Sequence, residues 1–143
     1  MNGYDFDGTL TDGIIPVVPW VIVTGRIAAD VNGVHRWLKG KEREYGSPLG
    51  VYYRPQGHHG DPVSSGLWKA YIIHTLRLRT FYEDELTQYN LLVSLRLKCD
   101  IHLVSKGKVL QVAKGFSDGR EEVKASHHCN PTVFYGEPYP TER

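Results

Sequence analysis

Cysteine, methionine and long apolar runs are all scarce in this chain. The two cysteines, Cys99 and Cys129, cannot build a disulfide framework. The longest apolar stretch, Ile14 to Val23, is broken by Pro16 and Pro19 and is too short to span a bilayer. An excess of charge is missing too: 17 Lys and Arg face 16 Asp and Glu. No global basic field therefore draws the chain to nucleic acid, although a local patch is compatible with this balance. The N-terminal residues show no signal-peptide pattern, and no internal repeat is visible. These absences lead us to expect a soluble, cytoplasmic protein with no membrane partner. Its 143 residues suffice for one domain with a real core.

What is present is an alternation of short apolar runs and helical patterns. Trp20-Val21-Ile22-Val23 is a continuous apolar run, as in strands covered on both faces of a parallel sheet. Val34, Trp37 and Leu38 recur at helical spacing within 27–44, with Asn32 as an alternative cap and start. Residues 49–53 read as a strand, and 54–63 as a loop rich in Pro, Gly and His. Ser64 or Ser65 can cap a helix to about Leu78 that aligns Trp68, Ile72 and Leu76. Thr80-Phe81-Tyr82 is a short strand, followed by a helix aligning Leu86, Tyr89 and Val93 and a strand over 101–104. This order predicts an α/β fold: a three-layer, doubly wound, mainly parallel five-stranded sheet. Residues 1–115 form the expected core, and 116–143 an irregular extension or one packed on that core.

Polar residues collect where these strands stop. Asp5 and Asp7, two positions apart on an extended backbone, project to one side while Tyr4 and Phe6 project to the other. Gly8 and Thr9 then turn the chain. Such a strand end is shaped to hold a divalent cation and to attack a phosphoryl group. An Asp-Gly pair alone is more often a surface turn, but the nonapeptide from Asp5 to Gly13 is far more specific. Thr24 ends the second strand, and Glu83 and Asp84 end the fourth. Ligands of doubly wound sheets bind beyond these carboxyl ends, at the topological switch point.

Asp5-Phe6-Asp7-Gly8-Thr9, Val21-Ile22-Val23-Thr24-Gly25-Arg26, Lys69 and Tyr82-Glu83-Asp84 resemble, in order, the motifs of the haloacid dehalogenase (HAD) superfamily. The resemblance covers roughly residues 3 to 104. It implies that Asp5 is a nucleophile and Asp7 a general acid/base. It further implies that Thr24 and Gly25 bind phosphate oxygens, with Lys69 in the first turn of its helix facing the phosphate. Mg²⁺ would lie between Asp5, the Asp7 carbonyl and either Glu83 or Asp84. Gly8, Thr9 and Arg26 complete the substrate side. One of Glu83, Asp84 and Glu85 can instead serve only to cap the next helix.

Two departures from the family pattern stand out. Few residues precede Asp5, so the first strand should be stunted. The spacings from Asp7 to Thr24 and from Arg26 to Lys69 leave no room for a cap domain. A capless site implies a bulky phosphorylated substrate or a partner that supplies the lid. The motif set is most similar to phosphatase domains of polynucleotide end repair and to minimal phage phosphatase-like proteins. The expected function is thus a Mg²⁺-dependent phosphomonoesterase acting on a nucleic-acid end or nucleotide. A small-metabolite phosphatase with an oligomeric lid and a non-catalytic binding protein are the alternatives.

Other residues carry weaker signals. His58-His59 lies in the Gly/Pro loop, where a solvent-facing pair is the usual outcome, and with Arg54 it should border the site mouth. His127-His128-Cys129 lacks the spaced partners of a structural zinc site. Lys106, Lys108, Lys114 and Arg120 near Phe116 read as a solvated hairpin rather than a strand-binding surface. The Pro-containing tail from Asn130 reads as extended.

Overall fold

The computed structural model describes residues 1–116. Except for Phe116, the C-terminal extension lies outside the described residues, and so do Arg120, the His127-His128-Cys129 cluster and the Pro-containing tail. A six-stranded sheet runs in the order β3-β2-β1-β4-β5-β6. Its strands are β1 (Asn2–Tyr4), β2 (Trp20–Ile27), β3 (Val51–Arg54), β4 (Thr80–Glu83), β5 (Asp100–Ser105) and β6 (Lys108–Ala113). β1 to β5 are parallel, and β6 returns antiparallel to β5. The expected class holds, with one strand more than the five anticipated. The basic 106–114 stretch supplies it: Lys106 and Gly107, both at positive φ, turn the chain back as a hairpin.

Alternation along the strands divides the core between two faces. Val21, Val23, Phe81 and Ile101 face α2 (Pro62–Leu76) and α3 (Leu86–Ser94), where Trp68, Ile72, Tyr89 and Leu92 are buried. Trp20, Ile22 and Tyr4 face α1 (Val31–Tyr45), which buries Val34 and Leu38. Fully burying a side chain of this size contributes roughly 1.5–3 kcal/mol, so both layers are needed for stability. On α3 the buried pair is Tyr89 and Leu92, while Leu86 and Val93 are exposed. The stripe expected through Leu86 and Val93 is therefore rotated toward Leu92. Close approach explains part of this: a Cβ on Gly66 of α2 would come within 2.8 Å of Leu91 on α3.

β1 is short, as anticipated, yet it is central. Backbone bonds lengthen its ladder at both ends: Arg79 N–H donates to the Met1 carbonyl, and Asp5 N–H to that of Tyr82. The chain moves from β1 outward through β2 to β3, then crosses back to β4 on the other side of β1. The switch point thus falls between β1 and β4, directly below Asp5 and Glu83. Among the described residues no helix is long and apolar enough to cross a membrane.

Candidate active site

Beyond the carboxyl ends of β1, β2 and β4 an open cleft of about 460 Å³ brings together Asp5, Asp7, Arg26, Lys69, Glu83 and Asp84. Asp5 ends β1 in an extended conformation, and the chain then forms one irregular turn over Phe6–Leu10. Gly8 sits there at φ +79°, in the left-handed region that favours glycine. Its N–H donates to Thr11 Oγ1 at 2.9 Å. A Cβ on Gly8 would overlap the Asp84 carboxylate, so glycine lets β4's end approach this turn. Thr9 is fully buried, and its hydroxyl lies at the limit of hydrogen bonding from Asp5 Oδ2 (3.4 Å) and Asp84 Oδ1 (3.5 Å).

Lys69 corrects the sequence expectation. It is neither exposed nor in the first turn: α2 starts at Pro62, capped by Asp61, which accepts the Ser64 N–H at 3.1 Å. Neither Ser64 nor Ser65 is the cap. Lys69 consequently lies about two turns into the helix. It is buried, with Nζ 2.8 Å from Asp5 Oδ1 and 2.8 Å from Glu83 Oε1. Burial pulls its pKa down, but Asp5 and Glu83 outweigh that and raise it above the ordinary lysine value. The ammonium stays charged because both carboxylates need it.

The acids after β4 divide their tasks. Glu83 is sealed from solvent; Oε1 accepts from Lys69, and Oε2 accepts the Glu85 N–H at 3.1 Å. Burial and the neighbouring Asp5 charge raise its pKa, against the pull of Lys69. Glu85 caps α3, accepting the N–H groups of Thr87 and Gln88. It is the acid reserved for capping. Asp84 is half-buried beside Asp5, and its pKa is pushed up to about 7, first by burial and then by Asp5. One ligand oxygen each from Asp5, Glu83 and Asp84 lie within 4.8 Å of one another. Three clustered carboxylates, two of them on the Lys69 ammonium, form a donor set that can hold a metal ion. With both Glu83 oxygens engaged, Asp5 and Asp84 retain the capacity to bind it.

Asp7 is the exposed acid of the pair. Arg26 forks its carboxylate, with Nε to Oδ2 and Nη2 to Oδ1 both at 2.8 Å. The guanidinium also lies 5.2 Å from the Phe6 ring centroid, and its own pKa is raised by the hydrogen bonds it donates to Asp7. A Cβ on Gly33, in the first turn of α1, would come 2.8 Å from Arg26 Nη1. Neither this contact nor the ion pair was foreseen. The sequence motifs place Arg26 on the substrate side and Asp7 in proton transfer, with no pairing between them.

No protein-family model, curated protein or solved structure matches this chain.

The cleft's own chemistry must therefore identify its use. Thr24 is buried and its hydroxyl accepts the Arg26 N–H at 3.1 Å, while Gly25 and Arg26 form the cleft wall beside it. Ser65, expected only as a cap, is a wall residue; a Cβ on Gly25 would sit 3.5 Å from its Oγ. No sequence signal separated Ser65 from Ser64. Arg54 does border the cleft, tied to the Gly25 carbonyl at 2.7 Å and to the His58 carbonyl. The His58-His59 imidazoles instead line a neighbouring hollow, and only Gly60 of that loop reaches the cleft.

Proposed function

We propose that this protein is a metal-dependent phosphomonoesterase of HAD type, with Asp5 as nucleophile. One observation carries the reading: Asp5 is held by Lys69 on one oxygen and flanked by Asp84, at the switch point of a parallel sheet. A structural ion pair has no need for a third carboxylate crowded against it.

Lys69 fixes Asp5 through Oδ1 and leaves Oδ2 for in-line attack on phosphorus. The Asp5 oxygen–phosphorus bond forms as the ester bond breaks. Asp7 gives the leaving oxygen its proton, then takes one from the water that hydrolyses the aspartyl-phosphate. To do so Asp7 must leave the fork of Arg26, which frees the guanidinium for a phosphate oxygen. Gly25 N–H and the Thr24 hydroxyl complete the oxyanion contacts. A Mg²⁺ ion held by Asp5 and Asp84, with the Asp7 carbonyl, would supply Lewis-acid charge to the phosphoryl oxygens. Glu83 orients Lys69 and Asp5 from behind.

The cleft is open, and Arg26 and Arg54 stand on its rim. That shape favours a substrate longer than a mononucleotide, such as a phosphorylated nucleic-acid end, because remote contacts then contribute to orientation. The test is phosphate release from an aryl phosphate with Mg²⁺, with EDTA, and with Asp5→Asn. Turnover is expected only in the first. Persistence in EDTA would overturn the mechanism. Tenfold preference for a mononucleotide over the matching oligonucleotide, about 1.4 kcal/mol, would overturn the choice of substrate.

A further inference from the structure

At the opposite end of the sheet, a second cavity of about 370 Å³ opens where α2 ends and where β4 and β5 begin. Its floor is apolar: Ile73, Leu78, Leu97 and Cys99 are all buried. Its rim is cationic, and the charges come from three separate segments. Arg77 stands at the end of α2, Arg79 before β4 and Lys98 before β5. The acid at this rim, Asp100, is already engaged by Lys114 Nζ at 3.1 Å and the Gly115 N–H at 2.7 Å. Among the described residues, Arg77 and Arg79 have no carboxylate partner.

The helix dipole accounts for a cation at Arg77, since cations are favoured at a helix C-terminus. It gives no account of Arg79, which lies in the loop leading into β4. Arg77 itself occupies φ +53°, a conformation in which Gly or Asn is the economical choice. Arg79 is fixed on both sides, its N–H donating to the Met1 carbonyl and its carbonyl accepting the Asp100 N–H, both at 2.9 Å. It lines the cavity from the exposed bend that leads into β4. Two guanidiniums without carboxylates, set over an apolar floor, match a phosphate group carried on a flat apolar body.

We propose that this cavity is an anion site, distinct from the acidic cleft, that takes a nucleoside diphosphate or a ligand of the same chemistry. The phosphates lie against Arg77 and Arg79, and the base covers Leu78 and Leu97. This inference does not depend on the phosphatase reading. The full chain, ¹⁵N-labelled and in EDTA so that no metal bridges phosphate to the acidic cleft, is titrated with ADP, adenosine and pyrophosphate. ADP should shift the backbone amides of residues 77–79 and 98–100, and bind tighter than either fragment. Arg77→Asn with Arg79→Gln should weaken ADP by about tenfold or more. Asn tolerates the left-handed backbone, so the fold is retained; Arg79→Gln alone, an exposed change, serves as a second variant and should weaken ADP measurably. Three results would overturn the proposal: shifts confined to residues 5–9 and 25–26, unchanged affinity in both variants, or pyrophosphate binding as tightly as ADP.

Discussion

Lys69 Nζ lies 2.8 Å from Asp5 Oδ1, and both groups are buried. The second contact of the ammonium, to Glu83, makes it the shared counter-charge of two carboxylates that have little solvent to turn to. Removing one partner of a buried pair leaves an uncompensated charge, at a cost of about 3–5 kcal/mol. Lys69→Met should therefore lower the urea midpoint strongly as well as abolish turnover. Adding Glu83→Gln should recover part of the stability and none of the activity. A Lys69→Met protein as stable as the parent would mean that the buried carboxylates do not rely on Lys69.

The Gly33 contact separates stability from activity. In the exposed first turn of α1, Ala is a better helix former than Gly by about 1 kcal/mol. Its Cβ, however, would come 2.8 Å from Arg26 Nη1, the mobile end of a side chain that can yield. Gly33→Ala should leave the melting temperature unchanged or raised while displacing the Arg26 fork from Asp7. We expect kcat/KM for an aryl phosphate to fall by about tenfold, because the displaced guanidinium no longer reaches the phosphate oxygen it takes once Asp7 leaves it. Unaltered kinetics would show that the position of the Arg26 guanidinium is not used in turnover.

Much of this was legible in the sequence, and the failures have physical reasons. Unbroken apolar runs and turn residues marked the parallel strands and their order. The acids stood at strand ends, where a switch point gathers side chains that are far apart in the chain. The depth of Lys69 is not legible, because a cap at Ser64 or Ser65 starts the helix three or four residues late. Asp61-Pro62 is as good a start signal as Ser64, and moving the start carries a lysine from an exposed turn into the core. The Arg26–Asp7 fork was hidden for another reason. Spacing along a chain says nothing about which of several nearby opposite charges will pair.

Acid should destabilise the β5–β6 corner in two steps. Burial pushes the Asp100 pKa up, but the Gly115 N–H and Lys114 outweigh it and hold the carboxyl below its ordinary value. That contribution is full above the unfolded value near 4 and is lost as pH falls through the lower native value. Burial also lowers the pKa of His102, against the pull of Asp100. The unfolded chain then takes up this proton first, so stability declines as pH drops below about 6.5. The contributions of His102 and Asp100 should both fall between pH 8 and 3, whereas the raised pKa values of Asp84 and Glu83 act the other way over the upper part of that range. Each contribution is therefore read as the difference in urea midpoint between a variant and the parent. His102→Gln should flatten the upper part of the decline, and Asp100→Asn the lower. A profile that each variant leaves unchanged would place the titrating groups elsewhere.

Gly8 joins backbone geometry to the candidate metal site. Alanine there must adopt φ +79°, at a cost of roughly 1–2 kcal/mol, and its Cβ would also overlap the Asp84 carboxylate. The two effects can be told apart with Gly57, at φ +90° with no atom within 4 Å of an added Cβ. Gly57→Ala bears the backbone cost alone. Both variants should melt at lower temperature without metal. The parent should melt at higher temperature as Mg²⁺ is added, and only Gly8→Ala should lose that rise, because Asp84 can no longer stand beside Asp5. The check is thermal unfolding of the three proteins across a Mg²⁺ titration. If Gly8→Ala is stabilised by Mg²⁺ as fully as the parent, Asp84 is not the second ligand, and Glu83 would have to give up Lys69 to take its place.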